Sequence, residues 1–221
     1  MEASKIGAYD KGFVGHKSAK MMKRAKALAA RQEKALEEKQ GLLQNRETAE
    51  ALKLRPLEHH ARRLVSCADL TLWYGGRRVC GPVTFSLERG ERAALAGPNG
   101  CGKSSLLKGI LGEDIRREGT LTLAPGLRVS YVPQDTSFLR GSLGGFILER
   151  GLDESLFKAI LRKLGFSREQ FARRLEDYSG GQKKKALIAA SLCQEAHLYV
   201  WDEPLNFIDI DSRLQIEALL R

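Results

Sequence analysis

Two hydrophobic patterns divide this chain of 221 residues. From about Lys17 to Leu54, apolar residues recur every seven positions on a charged background. The repeat comprises Met21, Leu28, Ala35, Leu42 and Ala49, with Met22, Ala29, Leu36 and Leu43 beside them. Such a seam predicts a long helix that packs against one partner helix. Pro56 ends the predicted helix, because proline disfavours helical geometry in the residue before it.

From Arg62 onward the pattern changes to short apolar runs that alternate with helical periods, which is typical of an α/β domain. Predicted strands cover Leu70–Tyr74, Glu91–Ala96, Arg128–Val132 and Leu198–Trp201. Predicted helices cover Ser104–Leu111 and Lys183–Cys193.

The net charge of +10 is concentrated near the N-terminus. Residues 1–32 hold eight basic and two acidic residues, which gives +6 of the total. A basic arm of this kind favours a polyanionic partner, and a solvated charged helix face explains it equally well. No apolar run approaches the ~20 residues that span a bilayer, and we expect no signal peptide before the arm. With four scattered cysteines and no CxxC pair, we expect a cytoplasmic protein without a membrane partner.

The most specific motif is Gly97–Ser104, with the sequence GPNGCGKS. It fits the pattern G-x-x-x-x-G-K-[ST], in which backbone N–H groups surround a triphosphate and glycines permit the close approach. A helix that begins at the loop adds its N-terminal dipole to the anion site. Lys103 is expected to reach the β- and γ-phosphates, and Ser104 to hold Mg²⁺. The alternative is a glycine-rich turn without a ligand.

An acidic pair follows the apolar run Leu198–Trp201. At the end of a strand beside a phosphate loop, Asp202 is placed to hold Mg²⁺ through water, and Glu203 to act as general base. Gln134 follows another strand and can ligate Mg²⁺ or the water. The alternative for the acidic pair is that Asp-Glu-Pro simply starts a turn.

A second loop of small residues, Ser179–Gln182, precedes the helical run from Lys183. It also suits a phosphate, but one nucleotide does not need two such loops from one chain. The loop therefore fits a nucleotide that another domain holds. Tyr74 ends a strand before two glycines, where an aromatic ring can stack on adenine or serve as a core or edge residue.

Together these motifs resemble the ATP-binding cassette superfamily, over roughly residues 62–221. Tyr178 stands where the signature loop of that family usually has leucine. The resemblance implies an α/β P-loop NTPase fold with a mixed sheet and a helical signature subdomain. It implies head-to-tail pairs in which the Walker motifs of one cassette and the signature loop of the other enclose ATP and Mg²⁺.

The implied nucleotide-binding residues are Tyr74, Gly97, Pro98, Asn99, Gly100, Cys101, Gly102, Lys103, Ser104 and Ser105. The implied metal ligands are Ser104, Gln134 and Asp202, and the catalytic residues are Glu203 and Gln134. The implied signature residues, acting in trans, are Ser179, Gly180, Gly181 and Gln182, and the D-loop residue is Asp209.

The run Asp202–Asp209 is similar to the D-E-P-x-N-x-x-D pattern of the ABC-F proteins, and with Tyr178–Lys185 it looks most like their antibiotic-resistance branch. Asp10–Lys17, followed by the basic helix, is similar to the interdomain linker of that branch. The resemblance implies an ATPase that protects ribosomes, with the ribosome, rRNA and tRNA as partners and hydrolysis driving release. The implied protein partner is the first cassette of the same parent protein, or a second copy.

The resemblance also predicts the domain boundaries. Residues 1–16 are expected to be a remnant of the linker tip, residues 17–56 the linker helix, and residues 57–221 a second cassette that is incomplete at its C-terminus. The switch histidine of the family has no counterpart among the four histidines. The alternatives are the ATP-binding subunit of a drug exporter, against which Asn206 and the fused basic helix count, and a catalytically inactive nucleotide-binding fragment.

Reversing the charges of Lys17, Lys20, Lys23 and Arg24 should weaken ribosome association and leave nucleotide affinity unchanged, because these residues lie outside the predicted cassette. Co-sedimentation at physiological salt measures the first effect, and fluorescent-ATP titration measures the second. Ribosome binding that survives the reversal would identify the arm as a solvated helix face.

Overall fold

A computed structural model describes residues 51–221. Its strands are β1 (Arg55–Pro56), β2 (Arg63–Tyr74), β3 (Arg77–Glu88), β4 (Arg116–Leu123), β5 (Val129–Val132), β6 (Glu195–Ala196) and β7 (Leu198–Trp201). Its helices are α1 (Lys103–Ile110), α2 (Leu143–Glu149), α3 (Glu154–Lys163), α4 (Arg168–Phe171), α5 (Gly180–Cys193) and α6 (Ile210–Leu220), with a 3₁₀ turn at Leu175–Asp177. None of the helices in this range is long and apolar enough to cross a membrane.

The strands form an antiparallel sheet and two parallel pairs. The antiparallel sheet has the order β3-β2-β4, with β2 and β3 joined as a hairpin through Gly75-Gly76. Helix α1 packs its apolar residues Leu106 and Ile110 into the same cluster as β2 residues and Leu198 and Val200 of β7. The phosphate-loop helix and the strand that ends in the acidic pair thereby share one hydrophobic cluster.

The parallel pair β5–β7 aligns the two strands that carry polar residues at their ends. Val129 lies opposite Leu198, and Val132 opposite Trp201. Because parallel strands end at the same edge, Gln134 and the pair Asp202-Glu203 come together there. The predicted strands at Arg128–Val132 and Leu198–Trp201 are confirmed, with β5 beginning one residue later.

The second hydrophobic cluster surrounds α5. Eleven residues of this helix of 14 are buried, so it has neighbours on nearly every side rather than along one stripe. Its neighbours in the cluster come from α2, α3 and α6, including the fully buried Phe157, Leu161 and Ile216. This packing forms a helical layer beside the sheets and confirms the mixed α/β class.

The predicted strand at Glu91–Ala96 is not formed. These six residues are exposed and make no strand pairing with the rest of residues 51–221. A strand needs a partner strand to satisfy its backbone groups, and this alanine-rich segment has low β-propensity and one large apolar residue, Leu95. The approach to the phosphate loop therefore has no regular secondary structure.

The last residues of the predicted linker helix are also not helical. Ala51–Leu54 lack helical structure, and Leu52 is buried in the cluster around α5. Arg55 and Pro56 then pair in parallel with β6. Burial of leucine and strand pairing outweigh continuation of the helix here. The linker prediction for residues 1–50, with the basic arm, lies outside the described residues.

Leu52→Ala should destabilise the cassette by about 2 kcal/mol, because it removes buried methyl groups next to the α5 cluster. The neighbouring Lys53→Ala, at an exposed position, should change stability by no more than about 0.5 kcal/mol. Urea unfolding followed by circular dichroism compares the two variants. Equal midpoints would place Leu52 outside the cooperative unit.

Candidate nucleotide-binding site

The phosphate loop forms a turn closed by its own lysine. Lys103 is the first residue of α1, and its Nζ donates to the carbonyl oxygens of Gly97, at 3.0 Å, and Pro98, at 3.1 Å. These two hydrogen bonds hold the ammonium group over the beginning of the loop. An ammonium that rests only on neutral carbonyls can turn to a stronger anionic acceptor.

Gly102 is required by the backbone at the entrance to α1. Its φ of 91° lies in the left-handed region, and a Cβ there would stand 2.3 Å from the carbonyl oxygen of Val79 and 2.7 Å from Cβ of Cys80. Glycine alone meets both constraints. The close approach to β3 fixes where α1 begins.

The N-terminus of α1 carries no side-chain cap. Its first N–H groups therefore lack the hydrogen bond that a serine or aspartate cap supplies. Together with the helix dipole and the Lys103 ammonium, they form a set of donors suited to an anion. Gly100 has open space where a side chain would lie, so the loop leaves room for a ligand.

Glu203 is held at the edge formed by β5 and β7. Its Oε2 accepts hydrogen bonds from Nε2 of Gln134, at 2.8 Å, and Nδ2 of Asn206, at 2.6 Å. The backbone of Glu203 has a φ of 47°, which is uncommon for a residue with a side chain. Two amide donors on one oxygen orient the carboxylate and leave Oε1 without a hydrogen bond from residues 51–221.

Asp202 lies beside this group and is almost completely buried, with 4% of its surface exposed. Its N–H donates to the carbonyl oxygen of Val132 at 2.9 Å and continues the β5–β7 ladder. Its carboxylate accepts no hydrogen bond from the part of the chain that the structure describes. The positive charge of Lys184 lies close enough to interact with it, and a hard cation is a further partner that suits a carboxylate without hydrogen bonds.

Lys184 is a residue that the motif analysis missed. It is 2% exposed, and its Nζ donates to the carbonyl oxygens of Pro133, at 2.8 Å, Gln134, at 3.2 Å, and Asp202, at 3.2 Å. Burial lowers the pKa of Lys184, and the charges of Asp202 and Glu203 oppose that shift. The side chain connects α5 to the ends of both parallel strands. A lysine at a buried position of the predicted helix could have indicated this role. A run of three consecutive lysines, however, is more typical of a solvated surface patch.

The second loop is a well-formed helix start. Ser179 caps α5, its hydroxyl accepts from the N–H of Gln182, and the side chain of Gln182 accepts from the N–H of Ser179. A Cβ at Gly181 would lie 2.2 Å from the carbonyl oxygen of Phe207, whereas Gly180 faces open space. Gly181 thus serves internal packing, and Ser179 and Gly180 form the accessible part of the loop. The buried Tyr178 donates its hydroxyl to the carbonyl oxygen of Gln170 at 2.8 Å.

Asp209 has a local structural role that the motif analysis did not predict. It caps α6 by accepting from the N–H of Ser212, and it pairs with the ammonium group of Lys185 on α5. Burial would raise the pKa of Asp209, but the hydrogen bonds and charge of these neighbours lower it to about 2. This ion pair connects the segment after Glu203 to α5, the helix that begins at the signature loop.

Some of the predicted site residues make no direct contact with one another. Tyr74 ends β2 and is 44% exposed, with no ring contact to the described residues. Within residues 51–221, no hydrogen bond or ion pair joins Lys103 or Ser104 to Gln134, Asp202 or Glu203. The phosphate loop and the acidic edge share a hydrophobic cluster but not a polar contact.

A family model described as "ABC transporter" matches residues 80–206, more than half of the chain. The chain belongs to the ABC transporter family. The matched residues are those of its ATP-binding domain, and ATP hydrolysis is general in that family. The cassette fold expected from the motifs is confirmed.

Relatives of the cassette come from several branches. It is 32% identical to the ATP-binding protein Uup of Caulobacter vibrioides over 169 residues, 72% of this chain and 28% of that protein. It is 33% identical to the zinc import ATP-binding protein ZnuC of Marinobacter nauticus, covering 72% and 62%, and 30% identical to the ribosome protection protein VmlR of Bacillus subtilis, covering 72% and 29%. The chain thus spans less than two thirds of these curated relatives.

Solved structures agree on the fold. A putative ABC transporter ATP-binding protein from Pyrococcus furiosus superposes with a TM-score of 0.60 at 22% identity, covering 71% of this chain and 83% of that one. The archaeal ribosome recycling factor aABCE1, solved with the stalk protein aP1, superposes with a TM-score of 0.57 at 28% identity, covering 74% and 32%. The ABC-F assignment goes further than these findings, because transporter and ABC-F relatives are equally similar.

Gly181→Ala should destabilise the cassette by about 1–3 kcal/mol, because the added methyl group meets the Phe207 carbonyl. Gly180→Ala is the matched control and should be neutral or slightly stabilising, since alanine favours a helix and its methyl group meets nothing. Thermal unfolding of both variants measures the difference. Equal stability would show that the loop relaxes freely at Gly181.

Proposed function

We propose that this cassette binds ATP with Mg²⁺ and hydrolyses it together with a second cassette. The observation that carries the proposal is the phosphate loop, where Lys103 rests on two loop carbonyls above an uncapped helix N-terminus. These donors match the negative charge of a triphosphate. The proposed contacts are Gly97–Ser105, with Tyr74 against the adenine ring.

The polar residues that follow β5 and β7, together with Ser104 of α1, fit a magnesium ion. Ser104, Gln134 and Asp202 would hold it, since hydroxyl, amide and carboxylate oxygens are the ligands Mg²⁺ prefers. The buried Asp202 carboxylate, which accepts no hydrogen bond from residues 51–221, supports this choice. When bound, the ion would neutralise charge that develops on the phosphate oxygens.

Glu203 acts as the general base in this proposal. Gln134 and Asn206 fix its Oε2, so its Oε1 is the oxygen available to accept a proton from the attacking water. As the water oxygen forms its bond to the γ-phosphorus, the bond to the bridging oxygen of ADP breaks, and the water proton passes to Glu203. Lys184 keeps the two loops that carry these side chains in place.

The signature residues Ser179, Gly180, Gly181 and Gln182 would serve the nucleotide of the other cassette. In support, Ser179 and Gly180 are exposed at the N-terminus of α5, and Gln182 orders that end of the helix. The Lys185–Asp209 pair connects this loop to the segment after Glu203. The partner is the first cassette of the same parent protein, or a second copy of this chain.

Within the family we propose a ribosome-associated ATPase of the ABC-F type that protects ribosomes against antibiotics, acting in the cytoplasm. In support, the chain resembles VmlR and Uup, and Asn206 of the D-E-P-x-N pattern bonds the proposed base directly. The basic arm suits contact with rRNA and tRNA. A transporter ATPase is the second candidate, favoured by equal similarity to zinc importer subunits.

Glu203→Gln should preserve ATP binding and lower hydrolysis at least a hundredfold, because an amide cannot accept the water proton. Together with its partner cassette, the variant should accumulate on ribosomes in the presence of ATP. Sedimentation through sucrose measures the bound fraction, and phosphate release measures turnover. Glu149→Gln makes the same chemical change at an exposed helix residue and is the matched control.

Two results would separate the parts of the proposal. Wild-type turnover in Glu203→Gln would remove the residue from the base role. Normal trapping of ATP without ribosome association, but with recovery on membranes, would favour the transporter candidate.

A further inference from the structure

A cavity with a polar lining lies at the edge of the parallel strands β5 and β7 that is opposite to Gln134 and Asp202. It has a volume of ≈ 380 Å³ and is lined by the start of β5, by the segment that leads to β7 and by the residues that follow α2. The candidate nucleotide site lies at the carboxyl ends of the same strands. A strand of four residues is ~13 Å long, so the cavity is separate from that site.

Three arginines line this cavity: Arg55, Arg128 and Arg150. Glu195 is the one acidic residue in its lining, and its Oε1 is taken by the guanidinium of Arg55 at 2.7 Å. The guanidinium groups of Arg128 and Arg150 form no ion pair within residues 51–221. Two positive charges in the lining are therefore uncompensated.

Both of these arginines are attached to fixed parts of the fold. The backbone N–H of Arg128 donates to Nδ1 of His197 at 2.8 Å, and its carbonyl accepts from the N–H of His197. The guanidinium of Arg150 lies over the ring of Phe146, 4.6 Å from its centroid. Cation–π contact orients a guanidinium without neutralising its charge.

Gln194 adds amide donors to the lining. Its Oε1 accepts from the hydroxyl of Ser130 at 2.7 Å, so the amide group presents its N–H donors instead. That amide finds no acceptor among the described residues. The lining thus offers two guanidinium groups and an amide to a ligand, and its one carboxylate is occupied.

We propose that this cavity binds a phosphate group, most favourably a phosphodiester of an RNA strand. Guanidinium forks match phosphate oxygens in geometry and charge, and the volume admits a nucleotide-sized segment. The phosphate chemistry rests on the lining alone, while the choice of RNA rests on the proposed ribosome association. The other source of the same group is free phosphate or a nucleotide.

Modification by phenylglyoxal, which reacts with arginine, tests the proposal on the full chain. Peptide mass spectrometry compares Arg128 and Arg150 with Arg140 and Arg168, exposed arginines away from the cavity that serve as internal controls. An oligouridylate of twelve nucleotides should slow the modification of Arg128 and Arg150 severalfold. It should leave the modification rate of the two control arginines unchanged. Inorganic phosphate and MgATP are the parallel probes.

The double variant Arg128→Gln/Arg150→Gln should weaken oligouridylate binding about tenfold and reduce the slope of log K against log[salt] by about 1.4. Arg140→Gln/Arg168→Gln removes the same charge and should change affinity less than about twofold. Gln194→Glu retains the Ser130 hydrogen bond and should weaken binding by adding an anion. All five substituted positions are at least partly exposed, and thermal unfolding checks that the variants fold.

Each outcome is decisive. Protection by oligouridylate supports the RNA source. Protection by phosphate or ATP alone keeps the phosphate site and removes the RNA assignment. No protection by any probe, or equal affinity of the two double variants, overturns the inference. If the wild-type chain binds ribosomes while Arg128 and Arg150 are still modified at the normal rate, the proposed function stands and the cavity is not an RNA site.

Discussion

The ammonium group of Lys184 connects the elements that carry Gln134, Asp202 and Glu203, which form the acidic half of the candidate site. It is buried in α5 and donates to carbonyl oxygens at the ends of β5 and β7. Hydrogen bonds from a charged donor contribute about 1.5–3 kcal/mol each, and burying the charge without them would be costly. The loops that carry Gln134, Asp202 and Glu203 are therefore held to the helix that begins with the signature residues. A movement of α5 relative to the strands would be transmitted to Glu203.

The phosphate-loop half depends on a different constraint. Gly102 lets α1 begin against the backbone of β3, and Leu106 and Ile110 of α1 then join the hydrophobic cluster that also holds residues of β2 and β7. The two halves meet through hydrophobic packing rather than through polar contacts. In the proposed function, a bound triphosphate with its ion would connect the N–H and ammonium donors of one half to the carboxylates of the other.

Motif spacing predicted the parts of this site that are local in sequence. The loop Gly97–Ser104, the helix after it and the strand before Asp202 follow from glycine placement and apolar runs. Contacts between distant segments could not be predicted in this way. The donation of Lys184 to three carbonyls, the Lys185–Asp209 pair and the approach of Gly181 to Phe207 depend on tertiary packing. The helix predicted over Ala51–Leu54 is wrong because burial of Leu52 and pairing of Arg55 and Pro56 with β6 decide that segment. The strand predicted at Glu91–Ala96 is wrong because that exposed, alanine-rich segment has no partner strand within residues 51–221.

Equilibrium titration of the chain with fluorescent ATP and Mg²⁺ tests most directly whether the loop around Lys103 is a nucleotide site. We expect saturable binding that Lys103→Ala abolishes, while Lys108→Ala, at a lysine later in the same helix, retains it. Unchanged affinity in Lys103→Ala, with the fold intact, would show that the loop is not a nucleotide site.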